Sequence, residues 1–226
     1  MSQNPRLELY SYWRTSATYR VRVALALKHL SASEKNIDID ANQQNSPDFL
    51  KINPLGGIPA LLDLSSATPT QPLTQSLAIL EYLEEIAPTP ALLPPDALGR
   101  ARVRSLAGML ASDTHPLITP RIKKYLVQAG GFDDAKWRAW QIHWFTTGLQ
   151  AFEKRLVSES GSARYTHGDS LTLADICMAS VIVVARVFKI EVEGIPHIDR
   201  IMTDLETLPA FFNADPYRQV GAPAAP

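Results

Sequence analysis

The chain is poor in sulfur nucleophiles: its 226 residues include one cysteine, Cys177. A single cysteine excludes an internal disulfide and a cysteine-based zinc cluster, and a reducing, cytoplasmic setting fits it. An excess of charge is also missing. Lys and Arg number 22 against 23 Asp and Glu, a formal net charge of −1. That balance offers no electrostatic footprint for nucleic acid or an anionic membrane. Long apolar runs are absent too. The longest, around Ile176 to Ala185, holds Ser180 and stops at Arg186, short of the roughly 20 residues that span a bilayer. The opening MSQNPRLELYSYW has no basic segment followed by an apolar stretch, so it does not read as a secretory signal. Phosphate-binding GxxxxGKS/T, dinucleotide GxGxxG and nucleophile-elbow GxSxG patterns do not occur. Asp113 and His115 lack the further ligands a metal site needs, so no metal is expected.

What is present is enough apolar material for a sizeable core, 46% of residues. Residues 7 to 12 read as a strand and 17 to 30 as a helix with apolar residues at helical spacing. Residues 35 to 39 (KNIDI) alternate like a strand. Ser46 and Pro47 open a short helix, as cap and first-turn proline. Ile58 to Leu62 is a strand opened by proline, Pro72 to Thr74 is another, and 75 to 86 (QSLAILEYLEEI) is an amphipathic helix. The order β-α-β-α-β-β-α suits a four-stranded mixed sheet with helices packed on it. After a proline-rich linker (88 to 98) the patterns are helical: 99 to 113, 116 to 129, 133 to 158, 172 to 187, 198 to 207 and 208 to 214. The expected organisation is a small α/β domain (1 to 87) and an all-helical domain (99 to 226).

Three junctions carry candidate chemistry. In WRTSATYRVRVAL (13 to 25), Thr15, Ser16 and Thr18 place hydroxyls where a helix starts. Helix starts present unpaired N–H groups and the positive end of a dipole, which can hold an anion, including a thiolate. Arg14, Arg20 and Arg22 add positive charge around it. Taken alone, the hydroxyls are more simply read as an ordinary N-cap. The Ile58–Pro59 bond, if cis, would turn the Ile58 backbone outward to pair with an extended peptide ligand; a plain trans proline at a strand end is the alternative. Gln75–Ser76 could hold a carboxylate and its neighbouring amine at a second helix start, or simply cap it. Thr172 and Asp175 read as a structural capping box. His115 is a general base, a ligand donor or a helix-end residue. Cys177, inside an apolar helix, reads as a core residue.

The hydroxyl junction, the strand-opening Ile-Pro and the Gln-Ser helix start occur in that order in an α/β domain, ahead of a helical domain with a TxxD box. Together they resemble the glutathione transferase superfamily. YSYWRTSATYRVRVALALK is similar to the zeta-class signature, and QSLAILEYLEE followed by PTPALLP matches that class. The resemblance implies a thioredoxin-like N-terminal domain, an all-α C-terminal domain and glutathione as cofactor. It further implies a homodimer and the chemistry of maleylacetoacetate and maleylpyruvate isomerases, cis–trans isomerisation of a maleyl-type keto acid in aromatic catabolism. Thr15 and Ser16 fall where the class has the hydroxyls at the glutathione thiolate. Ile58 and Pro59 fall at the cysteinyl contact, and Gln75 and Ser76 at the γ-glutamyl grip. His115 falls on a histidine that some relatives place near glutathione. Ala17 replaces the class cysteine, Gly57 a common glutamine, and Val187 an arginine before Phe188. Arg14 is then the candidate for binding a substrate carboxylate. A conjugating or dehalogenating transferase acting on another electrophile, and a non-catalytic binding module of the same fold, are the competing expectations.

Overall fold

The computed structural model describes residues 6–65 and 71–225. Residues 1–5, 66–70 and 226 lie outside them, and with them the segment read from sequence as leading into the Pro72 strand. Contacts divide the chain into two units. One runs to Ala91 and includes the chain from Thr207 on; the other is Leu92–Glu206.

The first unit is thioredoxin-like. β1 (Leu7–Ser11) leads through α1 (Ser16–Leu27) to β2 (Ala32–Asn36). α2 (Pro47–Ile52), β3 (Ala60–Asp63), β4 (Leu73–Thr74) and α3 (Ser76–Ile86) follow. The strands lie in the order β2-β1-β3-β4. β1 runs parallel to β2, with Leu7 opposite Ala32, and antiparallel to β3, with Leu9 opposite Leu61. Along β1, Leu7, Leu9 and Ser11 are buried in strict alternation, as a strand with one face on the core requires. Val21, Val23, Ala24, Leu61, Ile79, Leu80 and Leu83 complete that core, all without solvent exposure.

β2 starts earlier than the KNIDI alternation suggests. Its ladder with β1 ends at Asn36, with one further bond from Ile37 N–H to the Ser11 carbonyl (2.8 Å). Beyond it Asp38 accepts from the Asp40 and Ala41 N–H groups (2.9 and 3.1 Å). That aspartate turn takes the backbone out of the sheet. Ser46 caps α2 as read from sequence, accepting from Phe49 N–H at 3.2 Å.

The second unit is all-helical: α4 (Ala97–Gly108), α5 (Pro120–Gly130), α6 (Asp134–Ser158), α7 (Leu173–Val187) and α8 (Pro196–Glu206). α7 is its buried axis, with every residue from Leu173 to Ala185 buried, Cys177 among them. Asp175, fully buried, fills its carboxylate with the Thr172 N–H (2.8 Å), the Thr172 hydroxyl (2.9 Å) and the Thr166 N–H (2.8 Å). The TxxD box therefore caps α7 and pins the preceding loop. Burial raises the Asp175 pKa, and these hydrogen bonds oppose the rise. Glu153 of α6 does a similar task for α8, accepting from the N–H groups of His197 and Ile198 (both 3.0 Å) and pairing with the His197 ring (2.7 Å). Among the described residues no helix is long and apolar enough to cross a membrane.

The C-terminal segment departs from the expected division. α9 (Pro209–Ala214) packs on α1, and the Tyr217 ring lies 5.6 Å from that of Trp13. Apolar contact with the α/β unit, rather than chain order, assigns the residues from Thr207 to it.

Within the first unit a buried ion pair joins α1 to α3. Lys28 Nζ lies 2.5 Å from Glu84 and donates to the Pro90 carbonyl at 2.6 Å; its side chain is 0% exposed. Breaking one side of such a pair strands the other charge, at about 3–5 kcal/mol. Lys28→Met is expected to lose stability of that order in urea unfolding; a loss below about 1 kcal/mol would show the pair to be incidental.

Candidate active site

Two helix starts face the same buried cation. Thr15 is the N-cap of α1: its backbone is extended (φ −80°, ψ 128°) and its hydroxyl oxygen accepts from Thr18 N–H at 3.4 Å. The Thr15 hydroxyl also donates to Thr18 Oγ1 at 2.5 Å. Thr15 is half-buried, whereas Ser16 is buried. The Ser16 hydroxyl accepts from Arg20 Nη2 at 3.4 Å, one helical turn along. The same guanidinium donates through Nη1 to Ser76 Oγ at 2.9 Å. Arg20 is 1% exposed. It brings positive charge to the α1 start from inside, and it ties the first turn of α1 to the first turn of α3. Sequence spacing could have flagged the i,i+4 pair with Ser16, but not Ser76, 56 residues away.

Gln75, the residue before α3, holds φ 68° and ψ 110°. A non-glycine side chain at positive φ costs about 1–3 kcal/mol, and such strain concentrates at functional sites. Its side chain is exposed while Ser76 is buried. The Ile58–Pro59 peptide is cis. Ile58 is half-buried just ahead of β3. Asn53 Nδ2 donates to the Gly57 carbonyl at 2.8 Å, fixing the loop that leads there.

Arg14 is paired within the first unit. Its fork is already filled: Nη1 and Nη2 donate to the two carboxylate oxygens of Asp40 at 2.8 and 2.5 Å. Tyr12 donates to the same carboxylate at 2.6 Å. Two of its five N–H donors are thereby engaged. Burial works against the Asp40 charge, but Tyr12 and Arg14 outweigh it and hold the carboxyl below its ordinary range. Burial, then Asp40, pushes the Tyr12 phenol up to about 12. Arg22 is likewise committed, to Glu34 at 2.7 Å. In the second unit Arg186 pairs with Glu206.

His115 belongs to the helical unit. α4 passes into a π-helical stretch, Met109–Thr114, and His115 opens the single tight turn that follows, His115–Ile118. π-helical turns recur at functional sites. This one is braced by Thr114, whose hydroxyl donates to the Met109 carbonyl at 2.8 Å. α6 presses on it at Gly148, where a Cβ would sit 2.2 Å from Thr114 Oγ1. Sequence patterning gave no sign of the π stretch.

Comparison with known proteins decides the family. Residues 5–85 match the glutathione S-transferase N-terminal domain and residues 147–209 its C-terminal domain. A probable maleylacetoacetate isomerase of Vibrio cholerae is 36% identical over 218 residues, 96% of this chain and 98% of that protein. The chain belongs to the zeta-class glutathione transferases. A solved maleylacetoacetate isomerase from Methylobacterium extorquens AM1, with bound malonate and glutathione, is 43% identical with a TM-score of 0.92, covering 96% of this chain and all of that one. A holo maleylpyruvate isomerase described as zeta class is 36% identical with a TM-score of 0.89 over the same shares. In this transferase Ala17 is buried on α1.

Two outcomes follow from the geometry. The Asp40 carboxyl has a depressed folded pKa, so its stabilising contribution is present above the unfolded value, about 3.9, and is lost as pH falls through the folded one. Wild type should therefore lose its stability advantage over Asp40→Asn in acid; a pH-independent difference between the two would refute the pairing. Gly148→Ala has no room beside Thr114 and should lower the thermal midpoint; because overpacking costs about 1–3 kcal/mol, an unshifted midpoint would mean the contact is loose.

Proposed function

We propose that this protein catalyses glutathione-dependent cis–trans isomerisation of a maleyl-type keto acid in aromatic catabolism, acting in the cytoplasm as a homodimer. The observation that carries the reading is the pair of helix starts joined by Arg20, in a chain 43% identical to an isomerase that binds glutathione and malonate. The residues fit the tripeptide. Two first turns supply N–H donors for two anionic groups, and Thr15 supplies a hydroxyl that is not fully buried.

In this reading Thr15 holds the sulfur end, its hydroxyl turning from Thr18 to the ligand, while the α1 dipole favours the thiolate. Ser16, buried against Arg20, positions the turn instead of touching the ligand. Ile58 offers its backbone to the cysteinyl part, next to Pro59. Gln75 and Ser76 hold the γ-glutamyl end, where the strained Gln75 backbone fixes the approach. Bound glutathione supplies a sulfur nucleophile whose reversible addition makes a cis double bond free to rotate. The N–H groups of the first turn of α1 are fixed donors for negative charge that develops there.

One observation favours a second reading, a transferase or dehalogenase consuming glutathione. The candidate cation for a diacid, Arg14, is engaged with Asp40, and Val187 stands where the resemblance implies an arginine. Product analysis with maleylacetone separates the two. Trans product with glutathione unconsumed supports the isomerase, whereas a stable glutathione adduct supports the transferase. Thr15→Val should lower kcat/KM by about 10²-fold or more, the scale of losing one stabilising donor. A Thr15→Val, Ser16→Ala double variant with full activity and intact glutathione binding would remove both hydroxyls from the mechanism.

A further inference from the structure

Arg20 is a costly residue to bury. A fully desolvated guanidinium is tolerated only where its donors are met. Two of those donors go to the first residues of two different helices: Ser76 at 2.9 Å and Ser16 at 3.4 Å. The other arginines of this stretch, Arg14 and Arg22, turn to carboxylates. A hydroxyl that accepts from a guanidinium keeps its own O–H to donate. The arginine thus sets where each first turn begins and which way its serine points. α1 and α3 pack side by side along this contact, so the distance between their N-terminal turns is fixed by one rigid fork.

We infer that Arg20 is a positioning residue for bound glutathione, setting the spacing between the α1 turn that holds its sulfur end and the α3 turn that holds its γ-glutamyl carboxylate. The inference rests on the glutathione reading above. The two ends of the tripeptide are then bound cooperatively: a loss at either serine is felt at the other. The positive charge, shielded from water, also favours the anionic form of both ligand groups.

The test is titration calorimetry of the full-length protein with glutathione and with S-methylglutathione, alongside the pH at which the bound thiol ionises, read from thiolate absorbance. Wild type is compared with Arg20→Met and Arg20→Lys. Arg20→Met should weaken both ligands by about 10- to 100-fold, the scale of one charged hydrogen bond, and shift thiol ionisation to higher pH. Arg20→Lys keeps the charge but not the fork, so it should restore ionisation more than affinity. A folded Arg20→Met protein with wild-type affinity for both ligands overturns the inference. If Arg20→Met does not fold, the Ser16→Ala, Ser76→Ala cycle decides: non-additive losses in glutathione affinity support the coupling, and additive losses overturn it. Wild-type protein that binds neither ligand would instead refute the glutathione reading itself.

Discussion

The α/β unit is organised around two cations that have no access to water. Arg20 lies on α1 and Lys28 is the residue that caps its C-terminal end, and both reach α3 or the chain just after it. Arg20 ties the two helix starts and Lys28 ties the far end of α1 to Glu84, near the end of α3. Apolar packing alone would allow α1 to slide along α3, because the hydrophobic effect is non-directional. Two polar clamps at opposite ends of the contact remove that freedom. The sheet below needs only to supply a flat apolar floor, which Leu9 and Leu61 do as direct cross-strand partners. The position of the candidate site therefore follows from buried polar geometry more than from the core.

Local rules made much of this legible. Ser46 before Pro47, Thr172 before Asp175 and Thr15 before α1 are caps readable from a few adjacent residues, and each is found where the pattern put it. The all-buried α7 was legible from its continuous apolar run. What escaped was everything that depends on a partner far along the chain. Asp40 meets Arg14 across 26 residues, Ser76 meets Arg20 across 56, and Glu153 meets His197 across 44. Residue type says that an arginine wants an anion or a hydroxyl; it does not say which one the fold delivers. The same limit explains the C-terminal segment, whose helical pattern fits either unit and whose placement is decided by Trp13 and α1.

The π-helical stretch before His115 escaped for a different reason. Its sequence, MLASDT, contains no breaker, and the extra residue per turn is stabilised by a side chain, Thr114, bonding back to Met109. Gly148 on α6 is the complement that makes room for it. Neither residue signals the arrangement alone; together they hold the turn that presents His115. A glycine in mid-helix costs about 1 kcal/mol against alanine, so its presence in the long α6 is explained by this contact and not by propensity.

The sulfur count bears on mechanism more directly than on fold. The lone cysteine, Cys177, is sealed inside α7, and Ala17, where the resemblance implied a cysteine, is a buried methyl. The protein therefore presents no accessible thiol of its own, and sulfur chemistry at α1 can come only from a ligand. A hydroxyl is a poor nucleophile without a base beside it. Among the described residues, the hydroxyls at the α1 start, Thr15, Ser16 and Thr18, bond to one another, to the main chain or to a guanidinium. They are arranged to donate and to orient, not to attack. On the proposed reading they stabilise a borrowed thiolate, which needs no cysteine at position 17.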